Sequence, residues 1–268
     1  MKTTENCSPA QLEFMRRHKR HHRFIRYARL TLLVLFLALW EFCADRHIID
    51  SFFFSSPSRV ADCFISMVKD RSLFLHIGVT LLETVASFLL IVFLSLLAAT
   101  LLWYSRKLSE ILEPYLVVLN SLPKSALAPL LIVWLGTGIN TIIVAGISVA
   151  IFGAIISLYT GFLQVDPEKL KLITTLGGSK KDTFFKVVLP ACVPTILSTM
   201  KVNIGLALVG VIIGEFLAAR RGLGYLIIYG SQVFQLNMLI TSILILCAIA
   251  MALYQIIQWL EHCYKKRI

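Results

Sequence analysis

Five ionisable residues stand within or at the edge of long apolar runs: Glu41, Glu83, Lys124, Lys201 and Glu215. A charge in hydrocarbon is costly unless it is paired, hydrated or close to an interface, so each must find a partner or face a water-filled path. Lys124 lies between Pro123 and Pro129, where freed carbonyls and irregular helix can line a cavity. Lys201, Asn203 and Glu215 share one apolar run. One reading puts Lys124, Lys201, Asn203 and Glu215 on a translocation path, with Lys124 or Lys201 attracting an anionic solute. The other pairs each lysine with backbone carbonyls or lets it reach an interface. Glu41 and Glu83 are expected near the ends of their runs, where snorkelling or interfacial hydration accounts for them.

Other reactive residue types form no catalytic pattern. The stretch Gly177-Gly178-Ser179-Lys180 lacks the spacing of a phosphate-binding loop, and no H-E-x-x-H zinc pair or G-x-S-x-G nucleophile elbow occurs. The six cysteines, Cys7, Cys43, Cys63, Cys192, Cys247 and Cys263, include no C-x-x-C pair and read as small buried hydrophobes. His18, His21 and His22 belong to a basic run, Arg16 to Arg23, that suits a solvated tail beside anionic lipid better than a metal site. No catalytic residue, metal or cofactor is expected, and the chain has no ATPase machinery of its own.

The elements that must hold the five charges are membrane helices. Of 268 residues, 57% are hydrophobic and 15% charged, with a mean hydropathy of +0.80; soluble domains carry about a quarter charged residues. A crossing helix needs about 20 apolar residues. Six candidates run from Leu30 to Ala44, Leu81 to Tyr104, Ile111 to Leu135, Ile139 to Leu163, Val187 to Ala219 and Met238 to Trp259. The third contains Pro114, Pro123 and Pro129, and the fifth is overlong, with Pro190 and Pro194 marking an interfacial lead-in. The net charge of +11 would suit nucleic acid, but the basic residues fall between apolar runs. With the N-terminus inside, 18 Lys and Arg are cytoplasmic and six external, which places both termini in the cytoplasm by the positive-inside rule. No small-residue cleavage site follows the first run, so it is expected to remain as a helix. Between Asp45 and Ile77, Ser58 is expected to cap an amphipathic helix with Val60, Phe64, Met67 and Val68 on one face.

The cytoplasmic segment from Asp166 to Lys186 carries helix punctuation twice. Asp166 suits an N-cap with Pro167 at the first helical position and Glu168 at the positive end of the dipole. Gly177-Gly178 supplies a left-handed stop, and Ser179-x-x-Asp182 resembles a capping box. Two short helices around a glycine turn are therefore expected, with Leu170, Ile173 and Leu176 as an apolar ridge beside lysines. Such a ridge suits a socket in another subunit, or packing on the chain's own bundle.

At this point the chain resembles a known family. Gly177 followed by Val187-x-Leu189-Pro190 is similar to the "EAA" loop of permease subunits of binding-protein-dependent ABC importers. Leu122 to Leu130 and Trp134 to Gly138 resemble the third-span signature of the nitrate/sulfonate/taurine-type subgroup. Glu215 with Arg221-Gly222-Leu223-Gly224-Tyr225-Leu226 resembles its E…GLGYLI element, and Ser55-Ser56-Pro57-Ser58 the start of its outer helix. The resemblance runs from about Trp40 to Trp259. It implies an all-α integral membrane fold of six transmembrane helices, a type I ABC importer permease-like bundle with a cytoplasmic coupling-helix loop. It also implies a homodimer in the cell membrane, docked on two copies of an ATP-binding ABC subunit and served by an extracytoplasmic solute-binding protein. The docking residues would be Glu168, Leu170, Lys171, Ile173, Gly177, Gly178, Ser179, Leu189 and Pro190. Lys171 stands six positions before Gly177, where the family's glutamate would be, and Glu168 lies one turn away.

The expected map is a basic cytoplasmic tail (1–29), a first transmembrane helix (30–44), an outer loop (45–77), a five-helix permease core (78–260, docking loop 166–186) and a cytoplasmic tail (261–268). The expected function is import of a small polar or anionic solute: sulfonate, taurine, nitrate or a vitamin precursor. The alternative is a self-contained secondary transporter or channel, which the broken third and fifth runs would suit.

Overall fold

The computed structural model describes residues 9–46, 48, 50 and 54–266. Cys7, Arg267 and the side chains of most of the basic run lie outside the described residues. The described elements are helical, and the chain divides into two units, Met1–Asp62 and Cys63–Ile268.

In the first unit, α1 spans Pro9–Asp45, with an apolar stretch over Tyr27–Asp45 long enough to cross a membrane. The following helix, α2, spans Pro57–Lys69, so it starts one residue before Ser58, the expected cap. Ser56 takes that place: its Oγ accepts from Arg59 N at 3.4 Å, and Pro57 at the first helical position costs no hydrogen bond. Ser58 instead donates its N–H (3.0 Å) and hydroxyl (2.7 Å) to the Glu41 carboxylate. Glu41 is thus held by hydrogen bonds to the N-terminus of α2, where snorkelling or interfacial hydration was expected. On α2, Val60 and Met67 are buried while Phe64 is 43% exposed.

In the second unit, α3 (Ser72–Tyr104), α6 (Ile139–Leu163) and α9 (Leu189–Ala218) form the centre, with α6 packed extensively on both others. Small residues permit this. A Cβ on Gly210 would meet Gly146 Cα at 2.8 Å and Ala145 O at 2.9 Å, and one on Gly146 would meet Ser87 Oγ at 2.6 Å. Backbones approach closely because neither side interposes a side chain. Gly210→Val is accordingly expected to destabilise the bundle by about 3 kcal/mol through overpacking against backbone, measured as lost thermal stability of the purified permease in detergent. Unchanged melting would show that the crossing relaxes freely.

The third apolar run is not one rod. It forms α4 (Arg106–Ser121) and α5 (Lys124–Leu135), bent by 96°. The break falls at Leu122-Pro123 because a residue before proline is driven to extended backbone (Leu122 φ −62°, ψ 140°). Pro114 and Pro129 remain inside their helices. Among the described residues, five helices have the length and apolarity to cross, six if this bent pair is one span.

Two short helices, α7 (Pro167–Thr175) and α8 (Lys180–Thr183), lead through a π-helical turn (Phe184–Val188) into α9. Leu189 N donates to Phe184 O, five residues back. Pro190 cannot donate to the helix, and its ring crowds the carbonyl four residues earlier; the wider turn just before it accommodates both effects. The expected lead-in is therefore continuous helix. After α9 come α10 (Leu223–Gln232) and α11 (Leu236–Lys265), so residues 261–265 of the expected tail are helical. Among the described cysteines Cys192 is buried, whereas Cys247 and Cys263 are exposed, against the expectation of burial.

Candidate functional site

At one end of α9 the segment 166–186 is built as its punctuation requires. Asp166 Oδ1 accepts from Glu168 N at 2.9 Å, capping α7. Gly177 takes φ +79°, a conformation that L side chains rarely adopt. Ser179 and Asp182 form a reciprocal capping box: Asp182 N donates to Ser179 Oγ and Ser179 N to Asp182 Oδ2. Asp182 also pairs with Lys186 at 2.7 Å.

The apolar residues of α7 divide between two directions. Leu170 is half-buried and packs on the cluster of Phe162, Phe184, Val188 and Cys192. Ile173 is half-buried beneath Gly178, where a Cβ would meet its Cγ2 and carbonyl. Leu172 and Leu176 face away, 58% and 75% exposed. The ridge expected from Leu170, Ile173 and Leu176 is therefore split, with its first two members serving the loop's own packing. Glu168, Lys171 and Ser179 are exposed, Leu189 half-buried on the aromatic cluster, and Pro190 exposed on the first turn of α9.

Lys180 joins this loop to α3. Its Nζ donates to Tyr104 O at 2.7 Å and lies 5.6 Å from the Trp103 ring centroid. A cation at a helix C-terminus meets the negative end of the dipole. Phe184 packs between Trp103, Tyr104 and Phe162, so the loop is anchored in an aromatic cluster. The sequence reading missed Lys180 and Leu172; a lysine just after a helix stop carries no local sign of such a distant partner.

At the opposite end of α9, Glu215 is fully buried and serves as a cap for α10. Its Oε2 accepts from Gly224 N at 2.5 Å, its Oε1 from Thr80 Oγ at 2.7 Å, and it also bonds Tyr225 N–H. Thr80 Oγ accepts from Leu223 N at 2.9 Å, and His76 Nδ1 from Gly222 N at 3.0 Å. The N–H of the N-cap Gly222 and the first three N–H groups of α10 thus have partners from α3 and α9. Gly222 (φ +117°) and Gly224 leave room for the Glu215 carboxyl, which a Cβ at either would strike.

Glu83 lies beside this arrangement. Since α3 begins at Ser72, Glu83 sits about three turns inside it, 2% exposed, where an interfacial place was expected. Its carboxyl hydrogen-bonds that of Glu215, and its Oε2 is buried with no partner. It lines a cleft of about 390 Å³ with Val79, Gly138, Ile142, Ala219 and Arg221.

The lysines are already engaged. Lys124 Nζ donates to Leu119 O (2.8 Å) and Asn120 O (2.6 Å), satisfying carbonyls at the α4–α5 break. Lys201 forms an ion pair with Glu261 of α11. Asn203 is buried in α9.

Residues 91–268 match the family described as "Binding-protein-dependent transport system inner membrane component". The chain belongs to that family. It is a permease subunit of a binding-protein-dependent ABC importer, a multi-pass protein of the cell membrane that works with an ATP-binding subunit and a solute-binding protein. It is 32% identical over 233 residues to a probable ABC transporter permease of Haemophilus influenzae, covering 87% of this chain and 94% of the relative. It is 25% identical to a putative aliphatic sulfonates transport permease, SsuC, of Bacillus subtilis (87% and 84% covered). A formylaminopyrimidine transport permease, ThiX, of Halalkalibacterium halodurans is 27% identical (73% and 78% covered). Among solved structures, the permease is similar in fold to a bacterial ABC transporter involved in import of the acidic polysaccharide alginate, with TM-score 0.66, 14% identity, and 92% and 98% covered. It is likewise similar to the MetNI methionine ABC transporter in an inward-facing conformation, with TM-score 0.64, 17% identity, and 71% and 95% covered. The expected all-α type I importer fold is borne out.

Proposed function

We propose that the permease acts as a homodimer on two copies of its ATP-binding subunit, with 166–186 as the docking segment and both termini cytoplasmic. The observation that carries this is the exposed face of α7. Leu172 on α7 and Leu176 at its C-cap project away from the side fastened by Leu170, Ile173 and the following Gly178. An apolar pair on a rigid helix rimmed by charge suits a pocket in another subunit.

Closure of the ATP-binding subunits on ATP would push α7 and α8 as one piece. Lys180 and Phe184 pass that displacement to the end of α3, and the π-helical turn to α9. Those two helices bound the cleft at their far ends. The solute delivered there by the binding protein is small and polar; the relatives are named for sulfonates, taurine, formylaminopyrimidine and riboflavin. The domain limits proposed are the tail 1–29, the helix 30–44, the external segment 45–77, the core 78–260 and the tail 261–268.

Co-purification tests this reading. The tagged permease, expressed with the ATP-binding subunit from its own genome, is expected to carry it at a one-to-one ratio. Transport on an ion gradient by the permease alone, with no ATPase bound, would instead establish a secondary transporter.

A further inference from the structure

We propose that the cleft between the ends of α3, α6 and α9 binds the solute during passage, and that the solute presents an amino group to Glu83 while carrying no net negative charge. The proposal rests on the importer reading and names the solute class for that path.

Glu215 is accounted for without a solute, because Thr80, Gly224 and Tyr225 consume its acceptor capacity as the cap of α10. Glu83 is not. One of its oxygens bonds Glu215, and a bond between two carboxyl groups needs a proton on one of them. The other, Oε2, has no partner at all, although the side chain is 2% exposed. Buried acceptors are paired in nearly all cases, and those that are not call for an explanation such as a ligand. Glu83 also lines a cleft of about 390 Å³, within the size range of small-molecule sites. What an open carboxyl oxygen takes is an N–H or O–H donor.

The charges nearby narrow the class. A solute that is only an anion would offer nothing to Glu83 Oε2, the carboxyl group that lines the cleft. The lysines that could have attracted it inside the helices are engaged, Lys124 by carbonyls and Lys201 by Glu261. Arg220 and Arg221 are exposed and line the cleft beside Thr137 and Ala219. A zwitterion can leave its acidic group with these arginines and send its amine inward. A neutral heterocycle with an exocyclic amine fits without them. Of the two readings of the lysines, this is at odds with the one in which a lysine on the path attracts an anion.

The test uses the permease bound to its ATP-binding subunit in nanodiscs, without the binding protein, so that only the cleft is read. The probes are taurine and 4-amino-2-methylpyrimidine, each against its amine-free counterpart, ethanesulfonate and 2-methylpyrimidine. At least one amine is expected to bind, with its counterpart weaker by about tenfold or more, as for sites built around a hydrogen bond. Glu83→Ala should weaken that binding about tenfold, whereas Glu83→Gln, whose amide oxygen still accepts, should retain it within about threefold. Should Glu83→Ala fail to assemble, Ala219→Trp fills the cleft with Glu83 intact and should abolish binding. Equal binding of amine-free probes, failure of both amines, or indifference to Glu83→Ala and Ala219→Trp would overturn the proposal. A permease that never holds the ATP-binding subunit would instead overturn the importer assembly.

Discussion

Leu176→Asp is expected to reduce ATP-driven uptake by about a hundredfold or more, the loss typical of a central apolar anchor, while leaving the permease folded and at normal abundance. Leu176 is 75% exposed and Leu172 58% exposed, so a carboxylate there costs the isolated fold almost nothing. In a docked complex the same carboxylate would be buried without a partner, which is far more costly than losing the apolar contact. Leu170→Asp is the contrasting variant. It faces the Phe184 cluster and is expected to lower abundance and melting temperature as well as uptake. Uptake assays paired with melting of the same preparations check both. Wild-type uptake by Leu176→Asp and Leu172→Asp alike would remove α7 as the docking helix.

Glu215→Ala is expected to destabilise the protein by about 3 kcal/mol or more, because it strands buried donors, each costing about 1–3 kcal/mol. These are Gly224 N–H, Tyr225 N–H and the Thr80 hydroxyl. The change also opens a void beside Gly222 and Gly224. For a protein of this size such a loss corresponds to a melting temperature lower by roughly 10 °C. Glu215→Gln keeps one acceptor oxygen but aims an amide N–H at a site of donors, and should fall between. Melting of the purified permease checks this. Were Glu215→Ala as stable as wild type but inactive, Glu215 would be a path residue and not a cap.

The two predictions differ in how far their grounds could be read along the chain. The docking loop is written locally. Asp166 caps Glu168, Ser179 caps Asp182, and Gly177 takes a positive φ; each is fixed by neighbours within three positions. The apolar runs are equally local, since crossing hydrocarbon requires only length and composition, and the arginine and lysine distribution states the expected orientation without any coordinates.

Helix rotation and crossing are not local. They decide that Glu83 meets Glu215 and Lys201 meets Glu261, and that Leu170 turns inward while Leu172 turns outward. Thr80 and Glu215 lie 135 positions apart, and no periodicity within either run indicates that they touch. The E…GLG spacing was visible in the sequence, but its meaning as a cap borrowed from two other helices was not. Such contacts arise where glycines 146 and 210 let α3, α6 and α9 close on one another. Six apolar runs and one punctuated loop therefore follow from residue type and short spacing. The unpaired oxygen of Glu83, and with it the class of solute, exists only once three helices converge and leave its carboxyl short of a donor.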